Sequence, residues 1–273
     1  MRIIVLGSNG MLGTYVSTYF KNKSDLLLIN RSDYDLSKID ENGFLDFIST
    51  KINNGDIIIN AAGVIKQRDY NPIDSIMVNS ILPHILEKLE KEHNCKVIHI
   101  TTDCVFSGMK GKYTENDKHD CTDEYGKSKS LGENTNIMNI RTSIIGEEKF
   151  NKKSLISWLI SNSGKEVDGY TNHLWNGVTC LELCKLMEII IENKLYWKGI
   201  KHIFSPNTVS KLELITIIND VYELGVTIND KEADISCFRN LETIKGGGMI
   251  YKDIRDQIID LKKFKPYLTN AWR

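Results

Sequence analysis

The stretch that decides the fold is RIIVLGSNGMLG, residues 2–13, which is followed by TYVSTYFKN. RIIVLG is a continuous apolar and β-branched run, which predicts a strand buried on both faces, and TYVSTYFKN carries a helical pattern. Gly7 would allow a tight turn, Gly10 would let the backbone approach a pyrophosphate, and Gly13 would permit close helix–strand packing. This order predicts a dinucleotide site, although a glycine-rich turn without a ligand is an alternative. The predicted cofactor contacts here are Gly7, Asn9, Gly10, Met11 and Leu12.

The second predicted strand, DLLLIN, ends just before Arg31. In sites that select NAD, an acidic residue commonly ends this strand and binds the ribose hydroxyls. Asn30 and Arg31 stand here instead, and a guanidinium suits a 2′-phosphate, so the sequence favours NADPH over NADH. Asp35 and Leu36 belong to a segment, RSDYDLSK, that would pass under the adenine. A solvated surface arginine is the alternative for Arg31.

The third buried strand, in GDIIINAAG, is followed by the small residues Ala61, Ala62 and Gly63. Small side chains would let the backbone pass beside a dinucleotide. Further strands, CKVIHIT and NIMNIRTSIIG, continue the alternation with helices. The pattern predicts an α/β fold, a Rossmann-type, doubly wound parallel sheet with right-handed crossovers. Asn79, inside the next helix, is either a capped core asparagine or, as is frequent in this fold, a residue that orders the catalytic water and lysine.

Composition limits the function classes. In 273 residues, 35 Lys and Arg balance 36 Asp and Glu, which predicts neither a nucleic-acid nor a membrane-surface partner. No apolar run reaches the roughly 18 residues that span a bilayer. The first strand begins at Arg2, so we expect no signal peptide and a cytoplasmic location. The six cysteines lack paired C-x-x-C spacing, so neither a disulfide scaffold nor a metal site is predicted.

The residues with the clearest chemical potential lie between Val97 and Glu133. Tyr125 and Lys129 are four residues apart on a predicted helix and share one face. The lysine ammonium would lower the tyrosine pKa from about 10 and make Tyr125 a proton donor near neutral pH. Thr102, at the end of the preceding strand, could hydrogen-bond the same substrate oxygen. Since Y-x-x-x-K is common on amphipathic helices, it gains meaning only from the cofactor signature.

Several motifs together resemble the extended short-chain dehydrogenase/reductases, and within them the dTDP-4-dehydrorhamnose reductase-like proteins. The resemblance spans nearly the whole chain, and the G-x-x-G-x-x-G spacing of the first turn is typical of short-chain dehydrogenases. The motifs are GSNGMLG at 7–13, INAAG at 59–63, VN at 78–79, TTDCVFSG at 101–108, YGKSKSLGE at 125–133 and RTSIIG at 141–146.

The resemblance implies a substrate, a cofactor and roles for the residues. The substrate would be a nucleotide-diphosphate 4-keto-6-deoxyhexose, UDP- or dTDP-linked and plain or 2-acetamido, in deoxysugar (rhamnose-like) biosynthesis. NAD(P)H would deliver hydride to C4, Tyr125 would protonate the oxygen, and Thr102 would position it. Lys129 would tune Tyr125 and hold the nicotinamide ribose. Asp103, beside Thr102, would contact the substrate.

Cys104 departs from the family pattern, which has tyrosine at this position. Here the chain is similar to GDP-L-fucose synthase and to plant-type epimerase/reductases, in which this thiol is an acid/base for epimerisation beside the ketone. This implies a 3- or 3,5-epimerase activity before reduction, with a second group returning the proton. We rank Lys153 first for that role, ahead of Lys152 and His173. The alternative for Cys104 is a small buried hydrophobe.

The second half of the chain supplies the predicted sugar-nucleotide contacts. Asn172, Trp175 and Asn176 lie in the polar loop GYTNHLWNGVT, where the amides could bind hydroxyls and the indole could stack on a base or sugar. Arg239 resembles a family position where a guanidinium grips a diphosphate. Core packing is the alternative for Trp175, and an ordinary surface charge for Arg239.

The chain is therefore expected to form two domains. Residues 1–146 would be the NADP(H)-binding domain, and 147–273 mainly a small substrate lobe interleaved with the last sheet elements. Related folds commonly form homodimers. Two rival functions remain: a non-catalytic NADP-binding regulatory subunit, and a sugar-nucleotide 4-epimerase or 4,6-dehydratase that recycles NAD internally.

Overall fold

In the computed structural model of this chain, residues 2–65, 71–149, 153–246 and 250–271 are described, without the side chains at 266 and 269–271. A central six-stranded sheet has the order β10-β5-β4-β3-β1-β2. The strands are β1 Arg2–Leu6, β2 Asp25–Ile29, β3 Ile57–Asn60, β4 Lys96–Thr102, β5 Met138–Thr142, β6 Ile144–Ile145, β7 Glu166–Tyr170, β8 His173–Trp175, β9 Val178–Thr179, β10 Gly199–His202, β11 Val209–Ser210, β12 Thr227–Lys231 and β13 Cys237–Phe238.

Helices alternate with the first strands. A π-helix, Ile76–Ile81, joins α3 to α4, and short 3₁₀ turns cover Leu36–Lys38 and Asp103–Val105. Among the described helices, none combines the length and apolar character that a membrane span requires. The α-helices are α1 Met11–Phe20, α2 Glu41–Ser49, α3 Pro72–Ser75, α4 Leu82–His93, α5 Glu124–Leu131, α6 Leu155–Ser161, α7 Cys180–Glu192, α8 Lys211–Tyr222 and α9 Ile254–Ala271.

The apolar runs of β1 and β3 are buried throughout, apart from half-buried Arg2. Ile4 and Leu6 pack in a core cluster with residues of α2 and α4. Because side chains alternate along a strand, Ile3 and Val5 point to the opposite face, and both are fully buried. The sheet is therefore covered on both faces, and the predicted Rossmann-type α/β fold is confirmed.

The first strands are parallel: β1 pairs with β2 on one side and with β3 on the other. The chain thus leaves β1 toward one side of the sheet and later returns to the other. In open α/β sheets, ligands bind outside the carboxyl ends of the strands where this reversal occurs. Here, those ends carry Gly7, after β1, and Ala61–Gly63, after β3.

The chain divides into two compact units. The first comprises Met1–Val105, Cys121–Arg141 and Lys194–Ile200, and it includes the strands β1 to β4. The second comprises Phe106–Asp120, Thr142–Asn193 and Lys201–Arg273, with a β11-β8-β13 sheet and the pairs β7–β12 and β6–β9. Within this second unit, Ser210 is the N-cap of α8 and forms a complete capping box with Glu213.

Candidate active site

The glycine-rich turn packs directly on the segment after β3. Gly7 has φ +76° and donates its N–H to the Ile29 carbonyl at 2.9 Å. A Cβ built on Gly7 would stand 2.8 Å from Ala62 Cα, and one on Gly13 would stand 2.1 Å from the Gly7 carbonyl oxygen. Neither position can take a side chain unless backbone moves. The turn therefore needs glycine both for its conformation and for its close contacts.

Helix α1 begins at this turn with backbone groups alone. Gly10 is its N-cap, no side chain caps it, and its first turn has no acidic residue. The unpaired N–H groups and the dipole of a helix N-terminus favour an anion. Asn9 is exposed, Met11 half-buried and Leu12 buried.

Arg31 lies just beyond β2 and is engaged with its own loop. Its Nη2 donates to the Asp35 carboxylate at 3.2 Å and to Ser37 Oγ at 3.3 Å, while 73% of its side chain stays exposed. Burial alone would raise the pKa of Asp35, but hydrogen bonds from Ser37 and Arg31 outweigh it and lower the pKa. Leu36 is buried beside them. A 2′-phosphate would therefore compete with the Asp35 carboxylate for the Arg31 guanidinium.

Gly63, Asn79 and Lys129 meet at one point. A Cβ on Gly63 would stand 3.3 Å from Lys129 Nζ and 3.5 Å from Asn79 Oδ1. Lys129 is only 5% exposed and Asn79 is fully buried. Three residues that are far apart in the sequence thus border one space beside the end of β3.

Asn79 lies in the π-helix and is held by both of its amide atoms. Its Oδ1 accepts the Val64 N–H at 3.0 Å, and its Nδ2 donates to Ser75 Oγ at 3.1 Å and Ser128 Oγ at 3.0 Å. Single π-turns inside helices are frequent at functional sites. The carboxamide thereby ties this helix to the loop after β3 and to α5.

Thr102 and Tyr125 form the second part of the site. The Thr102 hydroxyl donates to the Asp103 carboxylate at 3.2 Å, accepts the Cys104 N–H at 3.1 Å, and shares a hydrogen bond with the Tyr125 phenol. Asp123 caps α5 through the Gly126 N–H at 2.8 Å, which fixes the start of the helix that carries Tyr125. The Cys104 thiol and the Tyr125 phenol interact electrostatically.

The prediction that Lys129 lowers the pKa of Tyr125 is wrong for this structure. Burial raises the Tyr125 pKa, and the charges of Cys104 and Asp103 add to this effect. Burial also lowers the pKa of Lys129 to about 8, with Glu133 opposing the shift. Tyr125 is therefore protonated at neutral pH, and Lys129 holds its proton less firmly than a solvated lysine.

The predicted proton-returning groups lie in the second unit, whereas Cys104 belongs to the first. Lys153 is exposed, and its backbone N–H donates to the Glu148 carboxylate at 2.8 Å. The half-buried His173 ring is hydrogen-bonded to the Ile235 carbonyl at 3.0 Å. Lys152 falls outside the described residues.

The two asparagines predicted to bind the sugar, Asn172 and Asn176, instead hydrogen-bond the backbone of the second unit. Asn172 donates to the Ala233 carbonyl at 2.7 Å and Ser236 Oγ at 3.2 Å, and it accepts the Ala233 N–H at 2.9 Å. Asn176 is buried and exchanges two 2.8 Å hydrogen bonds with the Leu241 backbone. The amide groups that would contact a sugar are therefore already hydrogen-bonded within the protein.

Trp175 and Arg239 are also engaged within the second unit. Trp175 is 4% exposed, and a Cβ on Gly177 would stand 2.5 Å from its ring. Arg239 Nε donates to the Phe106 carbonyl at 3.0 Å, and its Nη2 to the Ser107 carbonyl at 3.4 Å. The indole is packed as core side chains are, and the guanidinium is anchored at the 106–108 loop.

The sequence reasoning missed a charged cluster behind Lys129. Glu133 and Arg141 form a buried ion pair, and Thr101 donates to the same carboxylate at 2.8 Å. His99 is fully buried, and burial, with a smaller effect of the Lys129 charge, lowers its pKa to about 3. Glu133 stands four residues after Lys129, so the i, i+4 spacing was a usable signal.

Comparison with known proteins places the chain in a family. A dTDP-4-dehydrorhamnose reductase from Aggregatibacter actinomycetemcomitans is 28% identical over 234 residues, which cover 80% of this chain and 78% of that protein. A crystal structure of a dTDP-4-dehydrorhamnose reductase from Clostridium acetobutylicum superposes with a TM-score of 0.80 at 19% identity, covering 97% of this chain and 100% of that one. The enzyme of that name from Bacillus anthracis, in complex with NADP, also gives 0.80, at 17% identity over 96% and 98% of the chains. The family model of the RmlD substrate binding domain matches residues 1–161. The resemblance to extended short-chain dehydrogenase/reductases is thus confirmed, and the chain belongs to the RmlD substrate binding domain family.

Proposed function

We propose that this protein is an NADPH-dependent reductase that acts at C4 of a nucleotide-diphosphate 4-keto-6-deoxyhexose in deoxysugar biosynthesis. The observation that carries the proposal is the grouping of Thr102 with Tyr125, and of Lys129 with Asn79 and Gly63, in one unit. The name of the Aggregatibacter relative and the NADP bound to the Bacillus anthracis neighbour support it.

The residues of the first unit fit a dinucleotide. The uncapped N-terminus of α1 suits a pyrophosphate, and the space beside Gly63 would be narrowed by any side chain. Arg31 would bind the 2′-phosphate by exchanging its Asp35 contact, and Lys129 would hold the nicotinamide ribose. NADPH, when bound, supplies the hydride that reduces C4.

Residues of the chain would then donate the proton and hydrogen-bond the substrate oxygen. Because its pKa is raised, the Tyr125 phenol carries its proton at neutral pH, which is the form a general acid needs. The Thr102 hydroxyl is already hydrogen-bonded to that phenol, so both groups could meet one carbonyl oxygen. The Lys129 ammonium would act through the nicotinamide ribose that it holds.

The test is NADPH oxidation in the presence of dTDP- and UDP-4-keto-6-deoxyglucose and the 2-acetamido UDP analogue. We expect turnover of one of them, with loss of the C4 ketone by NMR, and a requirement for added NADPH. Turnover without added cofactor, together with tightly bound NAD, would instead identify an NAD-recycling epimerase or dehydratase. NADPH binding without turnover of any sugar would favour a regulatory subunit.

We further propose that Cys104 serves as a base in epimerisation before reduction. The Cys104 side chain is partly accessible. Among the charges that act on Tyr125, that of Cys104 raises the Tyr125 pKa most, so the sulfur stands close to the proposed carbonyl site. A C4 ketone acidifies the C3 and C5 protons, and Tyr125 with Thr102 would stabilise the enolate oxygen. Lys153 is proposed to return the proton on the opposite face.

Solvent exchange separates the two activities. In D₂O without NADPH, we expect deuterium at C3 or C5 of the accepted sugar, lost in Cys104→Ala and retained in the matched control Cys237→Ala. Reduction on adding NADPH without prior exchange would leave a simple 4-reductase, with Cys104 as a packing residue.

A further inference from the structure

We infer that Glu133 is a positioning residue of the proposed reductase site: its carboxylate fixes α5 against β4 and β5 and keeps the buried Lys129 amine protonated. This inference rests on the proposed function, in which Lys129 acts as an ammonium.

The Glu133 carboxylate joins three elements, namely the end of α5, β4 and β5. Glu133 follows α5, Thr101 belongs to β4 directly before Thr102, and Arg141 belongs to β5. Thr101 Oγ1 donates to the carboxylate at 2.8 Å and Arg141 Nε at 2.9 Å, while Arg141 Nη2 makes a further contact. One carboxylate therefore ties the helix that carries Tyr125 and Lys129 to the strand that ends in Thr102.

The same helix is held from another direction by the π-helix. Ser80 donates to the Ser128 carbonyl at 2.7 Å, and Asn79 bonds Ser128 Oγ. A Cβ on Gly132 would stand 1.9 Å from the Asn79 carbonyl oxygen, so the two elements are in direct contact. The π-helix therefore holds α5 from one direction, and β4 and β5 hold it through Glu133 from another.

The second effect of Glu133 is electrostatic. The Glu133 side chain is 2% exposed and that of Arg141 is fully buried, so water screens this cluster little. Of the ionisable neighbours on β4 and its extension, His99 stays neutral above about pH 3, and Asp103 and Cys104 stand beside Tyr125. Glu133, two residues beyond the end of α5 and four residues after Lys129, opposes the effect of burial on the Lys129 pKa.

The experiment measures the protonation of Lys129 directly, without cofactor or substrate. Native protein is acylated briefly at a series of pH values, and modification of Lys129 is followed by mass spectrometry, because only the neutral amine reacts. We expect a midpoint near pH 8 for the natural chain and a midpoint about one pH unit lower in Glu133→Gln. Because a cysteine thiolate is itself a nucleophile that acylating reagents modify, both profiles are taken in a Cys104→Ala background.

The matched control is Thr101→Val, which removes one hydrogen bond from the same carboxylate but leaves its charge. Its midpoint should stay at that of the natural chain, and a shift equal to that of Glu133→Gln would overturn the electrostatic role. If Glu133→Gln does not fold, the pair Glu133→Gln with Arg141→Met removes both charges and should still lower the midpoint. An unchanged midpoint, or failure of both variants to fold, reduces Glu133 to a structural residue.

The pH profile of kcat/KM with the accepted sugar gives the functional readout. As the pH is raised, the activity of Glu133→Gln should decline at a lower pH than that of the natural chain. Below about pH 6.5 the variant should recover its activity, whereas a purely structural loss would be similar at every pH. If the acylation midpoint shifts but no keto sugar is turned over, the proposed function fails and the Glu133 effect stands. If turnover is normal and the acylation midpoint of Lys129 does not change in Glu133→Gln, the Glu133 inference fails while the proposed function stands.

Discussion

The two units treat their predicted site residues differently. In the first, Lys129 is a buried amine whose pKa falls to about 8, and Tyr125 is a phenol whose pKa is raised. In the second, Asn172 and Asn176 are bonded to backbone, and Trp175 is packed in the interior. Groups placed at an energetic cost are candidates for chemistry, while groups satisfied within the protein stabilise the fold.

The largest effect should come from Tyr125→Phe. Removing the proposed general acid should lower kcat by about 10²- to 10⁴-fold while NADPH binding is preserved, since the hydroxyl is lost but the ring remains. Steady-state kinetics and fluorescence titration with NADPH measure the two quantities. A loss below tenfold would mean that another group protonates the oxygen, and the contrast between the units would weaken.

Lys129→Met should lower activity less than Tyr125→Phe does, but it should stabilise the protein by about 2–3 kcal/mol at pH 7, measured by urea unfolding. The folded pKa of about 8 lies below the ordinary lysine pKa of 10.5, so the unfolded chain binds more protons between these values. The natural protein should therefore gain stability as pH rises from 8 to 10.5, and the advantage of the variant should disappear there. If Lys129→Met is no more stable than the natural protein at pH 7, burial of the Lys129 amine does not destabilise the fold.

Asn176→Ala should do the reverse and cost about 2 kcal/mol of stability, because it leaves the Leu241 N–H and carbonyl without their buried partner. Folded Asn176→Ala should retain the KM of the natural protein for the sugar. The exposed Asn54→Ala is the control and should change stability by less than about 0.5 kcal/mol. A KM raised tenfold with unchanged stability would make Asn176 a substrate ligand after all.

Arg31→Ala should have the smallest effect. Its ion pair with Asp35 is largely exposed, so we expect almost no change in stability. NADPH affinity should fall about tenfold while NADH affinity stays the same, because only NADPH carries the 2′-phosphate. Binding titrations with both cofactors measure this, and equal losses for both would exclude a role in choosing NADPH.

The sequence was most informative where the relevant geometry is local. The strand–glycine–helix order placed the turn at Gly7, and the four-residue spacing placed Tyr125 and Lys129 on one helix. It was least informative for polar residues in loops, since an asparagine that binds a sugar and one that braces a backbone have the same signature. The pKa of Tyr125 was misjudged because burial, which opposes an ionised phenol, depends on everything packed around the ring.

What the sequence by itself determined is the alternation of buried strands and helices, the glycine turn and the Tyr125–Lys129 pair, because each follows from residues within one or two turns of one another. Only the tertiary structure decided that Gly63 and Asn79 border Lys129, and that Thr101 and Arg141 meet Glu133. These contacts join segments separated by tens of residues in several cases, and they form only when the sheet brings the ends of its strands together. The protonation of the site depends on that assembly, because desolvation and buried charge are properties of the packed interior.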